Sequence, residues 1–422
     1  MGYLSVLRSP QVARLLSGTL TGRLPAGMTA IAIALALRAA GAGYALVGLT
    51  SPAYAVSAAV GGPVLGRLVD RLGQPRVLLG SAVVASLGYV LLALAPGTAA
   101  VALAGAALAG LCMPPLEPCL RALWPDIVAE QELETAYALD SASQQILYVA
   151  GPLLVAGVAA VGSPVTALWL AAGFGLVGTL VVATAPAART WRAPAPVGGG
   201  GAAGRGRGWL GPLRSRGLVL LLLAFVGTGW SVGGQNILFV AYAQARPSLP
   251  GGGGTLLALA ALAGLLGALA YGAVRWTAPT ATRTWAMAAG MAVSYLPLLA
   301  LPGPLGMAGA AALSGLGLAP LLAAAFLLIA ELAPEGTVTE AFAWLVTLFS
   351  TGTALGSATA GTVVDSSLRG AALVACGGIV LAAVLLFAAR GLLARESTAA
   401  SGLGDTRRRE PAEAPAAVQP AA

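Results

Sequence analysis

Residues 44–97 read YALVGLTSPAYAVSAAVGGPVLGRLVDRLGQPRVLLGSAVVASLGYVLLALAPG, and every charged side chain in the stretch lies between Arg67 and Arg76. The flanking pieces are uncharged, and each is long enough to cross a hydrocarbon core of about 30 Å, which takes roughly 20 helical residues. Lipid cannot satisfy backbone N–H and C=O groups, so a spanning segment is either a helix or a strand of a closed barrel. No polar–apolar alternation of the kind a barrel strand needs is present. The stretch therefore reads as two membrane helices joined by a short charged turn.

The pattern extends along nearly all of the 422 residues, of which 58% are hydrophobic and 9% charged. Twelve apolar segments are expected, at 15–37, 44–66, 77–95, 99–121, 141–161, 165–185, 217–240, 255–275, 284–301, 305–330, 340–363 and 370–389. Turn formers separate them, among them Gly41 to Gly43, Pro96-Gly97, Gly162 to Pro164, Gly251 to Gly254 and Pro302 to Pro304. The first segment is too long for the apolar core of a signal peptide and has no clear cleavage site, so it reads as a permanent helix.

All 23 basic residues are Arg, and the net charge is +8. Such usage, with abundant Ala and Gly, suggests a GC-rich bacterial genome and hence a bacterial inner membrane. The arginines gather on one set of loops: Arg67, Arg71 and Arg76; Arg121; Arg189 to Arg216; Arg275 and Arg283; and Arg390 to Arg409. The other side holds Arg38, Arg246 and Arg369. The positive-inside rule then places the basic loops and both termini in the cytoplasm, and the surplus of charge needs no nucleic-acid partner. Residues 1–185 and 217–393 form two six-helix bundles on this reading. Residues 186–216, rich in Pro, Gly and Arg, are a linker, and 394–422 a disordered cytoplasmic tail. Cys112, Cys119 and Cys376 fall inside apolar segments, so neither a disulfide framework nor a metal site is implied. A monomer is expected.

Shifting the sequence by about 206 residues lays Pro96-Gly97 on Pro302-Gly303, Pro114 on Pro320, and Gly66 on Gly272, with Gly151 one residue from Gly356. The shared register argues for internal duplication. Parallel six-helix repeats related about the membrane normal are a transporter architecture, with the binding site between them near the midplane.

Between the second and third segments, Gly66, Asp70, Arg71, Gly73 and Arg76 stand in the order Gly, three residues, Asp-Arg, one residue, Gly, then a basic residue. This resembles the signature of the major facilitator superfamily, although Gln74 stands where the family usually has a cation. The resemblance spans about 11 to 393. It implies an all-α membrane protein of twelve transmembrane helices in two pseudo-symmetric bundles, and a secondary transporter working by alternating access. In that frame Gly66 lets a neighbouring helix approach, and Asp70 faces a helix N-terminus of the second half, a favourable place for an anion. The pair forms a conformational latch. The second-half counterpart, Gly272 to Arg275, has lost the Asp. Gly151-Pro152, with Gly157, is similar to a Gly-Pro signature of antiporter members and favours export.

Ionisable groups inside spans are functional candidates by default. Arg23 lies about two turns into the first segment, where it can contact an anionic substrate or pair with an internal acid, Glu117, which has Arg121 one turn beyond. Glu340 opens the eleventh segment as a dipole partner. Asp140 opens the fifth, followed by Gln144 and Gln145. Trp230, Gln235 and Asn236 offer an aromatic wall and hydrogen-bonding groups to a central cavity. With no His, an acid must carry any coupled proton, and Glu117 is the leading choice. The expected ligands are a small organic molecule and protons, within a lipid bilayer and with no cofactor. Export in exchange for protons leads, with an uptake permease for a sugar or metabolite as the alternative. A membrane sensor or scaffold using the Arg-rich linker is the reading from another class. No nucleotide loop, nucleophile motif or metal constellation supports an enzyme.

Overall fold

In the computed structural model the described residues are 3–8, 10–193 and 210–409. They form an all-helical membrane protein. The first three spans are Pro10–Ala39, Tyr44–Leu72 and Gln74–Leu94. The fourth is broken into Ala99–Leu111 and Leu116–Ile127, the fifth is Leu133–Val161 and the sixth Pro164–Ala183. After the linker come Arg216–Ala245, Gly252–Ala273 and Thr280–Tyr295. The tenth is broken into Pro304–Gly315 and Leu318–Leu332, followed by Val338–Val364 and Leu368–Arg409. Eleven of these elements are long and apolar enough to cross a membrane by themselves. The ninth is shorter, because Pro297 converts its last turn into the 3-10 turn Leu296–Ala300.

Large apolar side chains such as Leu153, Val177, Leu266 and Leu381 are exposed on the outer faces of these helices, where lipid solvates them. Lipid tails are as apolar as Leu, so helix association rests on close packing by small residues. The duplication is visible in that packing. First packs on sixth, second on fourth and third on sixth; in the second half, seventh packs on twelfth, eighth on tenth and ninth on twelfth. The match extends to single glycines. A Cβ on Gly110 would lie 2.2 Å from the Tyr54 carbonyl oxygen, and one on Gly315 would lie 2.1 Å from that of Ala260. Tyr54 and Ala260 are 206 residues apart, the shift read from the prolines. Both broken spans, the fourth and the tenth, are also repeat partners.

Gly356 shows what such contacts are worth: its Cβ would stand 2.0 Å from the Trp230 carbonyl oxygen. Gly356→Val should push the seventh and eleventh spans apart at a cost of about 1–3 kcal/mol or more. Thermal denaturation followed by fluorescence-detected size exclusion would record this as a lower melting temperature.

Several boundaries differ from the sequence reading. The second span runs on to Leu72, because Leu65, Leu68, Val69 and Leu72 continue its apolar surface, so Gly66, Asp70 and Arg71 sit on the end of a helix rather than in a loop. The fifth span begins at Leu133, eight residues before the expected start, which puts Asp140 two turns inside it. The linker holds a short helix, Pro186–Thr190, and a 3-10 turn, Gly211–Arg214, with residues 194–209 outside the described part. The twelfth helix continues past 393 to Arg409. Glu396 on this extension accepts from Ser215 Oγ at 2.9 Å and from the Gly217 amide at 3.1 Å, and so holds it to the start of the seventh span.

Candidate functional site

The halves meet along two equivalent seams, second span on eleventh and fifth on eighth. At the first seam a Cβ on Gly66 would touch Ala343 Cβ and Glu340 Cα, each at 3.0 Å, so the two helices lie almost backbone to backbone. Directly beyond, Asp70 accepts from the Thr339 amide at 3.2 Å and from the Glu340 amide at 2.9 Å. These amides open the eleventh span, where N–H groups lack intrahelical partners and the helix dipole favours negative charge. Arg67 completes the joint by a two-pronged pair with Glu340, at 2.9 and 2.6 Å. Arg71 and Arg76 are exposed. Gly73 ends the second span at φ 84°, a left-handed conformation that favours glycine.

The second seam uses different chemistry. Gly272, the repeat partner of Gly66, packs against Ala138 and Tyr3. Its carbonyl accepts from Thr135 Oγ1 at 3.0 Å, and Glu134 pairs with Arg283. Tyr3 also donates to the Leu269 carbonyl oxygen at 2.7 Å. With Trp276 standing at the repeat position of Asp70, this seam has no acid cap on a helix. All these ties lie on the side of the membrane that carries the second-to-third turn.

Between the halves lies a cavity of about 340 Å³. Its walls are mostly apolar, with Leu147, Leu322, Phe326 and Phe349 among them, and its charged residues are Arg23, Glu117 and Arg121. The broken fourth span explains how Glu117 comes to be there. Pro114 and Pro115 remove amide donors and stop the helix at Leu111. The chain restarts at Leu116, where Glu117 occupies a first turn that prolines tolerate. Arg121 then falls one turn on, on the same face, and pairs with Glu117. Arg23, from the middle of the first span, holds the other carboxylate oxygen at 2.5 Å.

The cluster goes one member further than the sequence suggests. Asp140 is fully buried and accepts from Arg121 Nε at 2.7 Å. Arg121, itself 0% exposed, also lies 3.4 Å from the centroid of the Phe326 ring, which covers one face of the guanidinium. Two arginines and two acids therefore balance in a site with little solvent, the condition under which buried charges are tolerated.

Gln144 is buried and lines the cavity, but Gln145 packs instead against Gly264 of the eighth span. Trp230, Gln235 and Asn236 are not among the lining residues, which corrects their placement in the central cavity. Trp230 has its backbone in the crossing of the seventh and eleventh spans. Conversely Tyr54 lines the cavity, and behind it Tyr89 and Thr29 join in a hydroxyl pair at 2.7 Å. A Tyr in an apolar span is the only sequence signal for that group.

Asp70→Asn keeps the shape of the latch but removes its charge. We expect a loss of about 0.3–1 kcal/mol from the tied state, which changes turnover more than substrate binding. Unaltered turnover of the variant in proteoliposomes would remove Asp70 from the switching step.

Comparison with known proteins agrees with this architecture. A family model described as the Major Facilitator Superfamily matches residues 15–305, more than half of the chain. Comparison with curated proteins finds no match. Among solved structures, a bacterial homologue of the iron transporter ferroportin in an outward-facing state is similar at 16% identity and TM-score 0.71, covering 89% of this chain and 98% of that one. The human organic anion transporter TETRAN matches at 16% identity and TM-score 0.66, covering 89% and 99%. The E. coli fucose:proton symporter FucP, as a point variant, matches at 14% identity and TM-score 0.64, covering 90% and 98%. Identities this low speak to the fold alone, but the family match is independent of them. Two six-helix halves meet at Gly66 and Asp70 around a central cavity, and by the family match the chain belongs to the major facilitator superfamily of secondary transporters.

Proposed function

We propose that the protein carries a small organic molecule across a bacterial inner membrane in a proton-coupled cycle, with Glu117 as the proton-carrying group. One observation supports this above the others: Glu117 is the acid that lines the cavity, and both of its oxygens are held by arginines. Protonation of Glu117 releases Arg23 and Arg121 from their shared partner. Arg121 reaches Asp140 on the fifth span and stacks on Phe326 of the tenth. The charge on Glu117 is therefore linked to contacts that cross from one half to the other. Such a link is what a rocking-bundle cycle requires, because a ligand shifts a conformational equilibrium only through differential interaction with the two states.

The charged and capping contacts of the seams lie on the basic-loop side, which fits a conformation closed toward the cytoplasm if both termini lie inside. Export in exchange for protons, the direction favoured by the sequence, draws its support from Gly151-Pro152. In the fold Gly151 is a packing contact, its Cβ position only 2.5 Å from the Gly27 carbonyl carbon. The charge cluster is the better guide to coupling. The test is a ligand-stabilisation screen on the purified protein, followed by transport of each hit in proteoliposomes with an entrapped pH dye. Proton movement that requires the substrate supports the proposal. Transport with no accompanying proton flux removes it.

A further inference from the structure

The hydrogen-bonding capacity left over in the cavity points to a substrate class. Of the buried side-chain polar atoms without a partner among the described residues, three belong to residues lining the cavity: Arg23 Nη1, Arg121 Nη1 and Gln144 Nε2. All three are donors, closed off from solvent while Glu117 holds the arginines, so a ligand reaches them once that carboxylate lets go. Both oxygens of Glu117 are occupied by the arginines, and the Thr347 hydroxyl already donates to the Ala59 carbonyl oxygen at 3.3 Å. A cationic ligand entering here meets two guanidinium groups, and the one carboxylate oxygen of the cluster left without a partner, Asp140 Oδ1, belongs to a residue that does not line the cavity. An anionic one meets unfilled donors, two of them on cations, where charge-assisted hydrogen bonds are strongest.

We infer that the substrate is an amphiphilic organic anion. Its carboxylate, or an equivalent oxyanion, is taken by Arg23 and Arg121 with Gln144, and its apolar body lies against Phe326, Phe349 and Leu322. This rests on the proposed function for its coupling, but its binding part stands alone. The charge count sets the coupling mode. Arg23, Arg121, Glu117 and Asp140 are balanced, so a bound anion leaves one negative charge in excess in a poorly solvated site, and a proton on Glu117 restores the balance. Beyond Arg23, Glu117 and Arg121, Tyr54 of the second span is the one titratable side chain among the described residues that lines the cavity. Anion and proton therefore bind together and travel in the same direction. That mode is cotransport, as the uptake alternative requires, rather than exchange.

The experiment uses the full-length protein in detergent and a matched series of probes: 4-phenylbutyrate, 4-phenylbutyramide and 4-phenylbutylamine. Thermal stabilisation by the acid, with the amide and amine at least about tenfold weaker, is expected from the loss of charge-assisted bonds. Arg23→Gln should abolish the preference for the acid, and Gln144→Leu should weaken binding of the acid while leaving the fold intact by size exclusion. Glu117→Gln should still bind the acid, and its affinity should no longer fall as pH rises. Stabilisation by the amine or the amide as strong as that by the acid, or by none of the three, overturns the inference. Selective acid binding with no proton flux in proteoliposomes would sink the proposed function and leave the anion site standing. Proton-coupled transport of a cation would do the reverse.

Discussion

Replacing Glu117 by Gln should abolish substrate accumulation driven by a proton gradient while leaving gradient-independent counterflow in place. The amide has nearly the shape of the carboxylate, so the broken fourth span and the cavity wall keep their packing. Its oxygen still accepts one hydrogen bond, from Arg23 or Arg121. What is lost is the negative charge that binds both arginines in the resting site and the site at which a proton could neutralise it. The uncharged variant resembles the protonated wild type at every pH, and so loses the step that a proton gradient drives. Proteoliposomes loaded with unlabelled substrate and given labelled substrate outside measure counterflow, and an imposed pH difference measures accumulation. Loss of both would mean that the variant is damaged rather than uncoupled. Retention of both would place the proton elsewhere.

The largest loss of stability is expected for Arg121→Met. Arg121 is fully buried and serves Glu117, Asp140 and the Phe326 ring together. Methionine fills part of its volume but strands Asp140 in an apolar interior and leaves Glu117 with Arg23 alone. Removing one partner of a buried ion pair typically costs about 3–5 kcal/mol, most of it the penalty on the charge left behind. That origin gives the prediction a second arm. Neutralising the stranded acid as well, in an Arg121→Met, Asp140→Asn variant that keeps the Arg23–Glu117 pair, should recover most of the melting temperature without recovering transport. If the double variant is no more stable than the single one, the loss comes from packing against Phe326 and not from unpaired charge.

Much of this site could be read before the fold was in view, for a simple reason. An ionisable side chain within a long apolar stretch is conspicuous, so Arg23, Glu117 and Arg121 announce themselves, and the i,i+4 spacing pairs the last two. Asp70 is legible because its surroundings carry a family pattern. Asp140 is less so, because the acids Glu130, Glu132 and Glu134 before it look like a solvated loop and hide the start of the fifth helix at Leu133. Glu340 reads as a plain first-turn acid, since its partner Arg67 is 273 residues away and nothing local betrays the contact. Trp230, Gln235 and Asn236 have the chemistry of cavity residues but do not line it. The seventh helix is apolar nearly all round, so periodicity cannot say which face it turns inward. The glycine crossings are the opposite case. Abundant Gly made each match weak in the sequence, and only the backbone contacts at Gly110 and Gly315 give the 206-residue shift its structural meaning.

The direct test of proton-driven alternating access is a pair of distances measured by electron resonance between spin labels. One pair, at Arg71 and Arg275, reports the basic-loop side, and the other, at Val161 and Leu305, reports the opposite side; all four positions are exposed. On lowering the pH the two distances should change in opposite directions in the wild type, and neither should change when Glu117 is Gln. Distances that move together, or that respond equally in the Glu117→Gln variant, would contradict a cycle in which Glu117 gates the two halves.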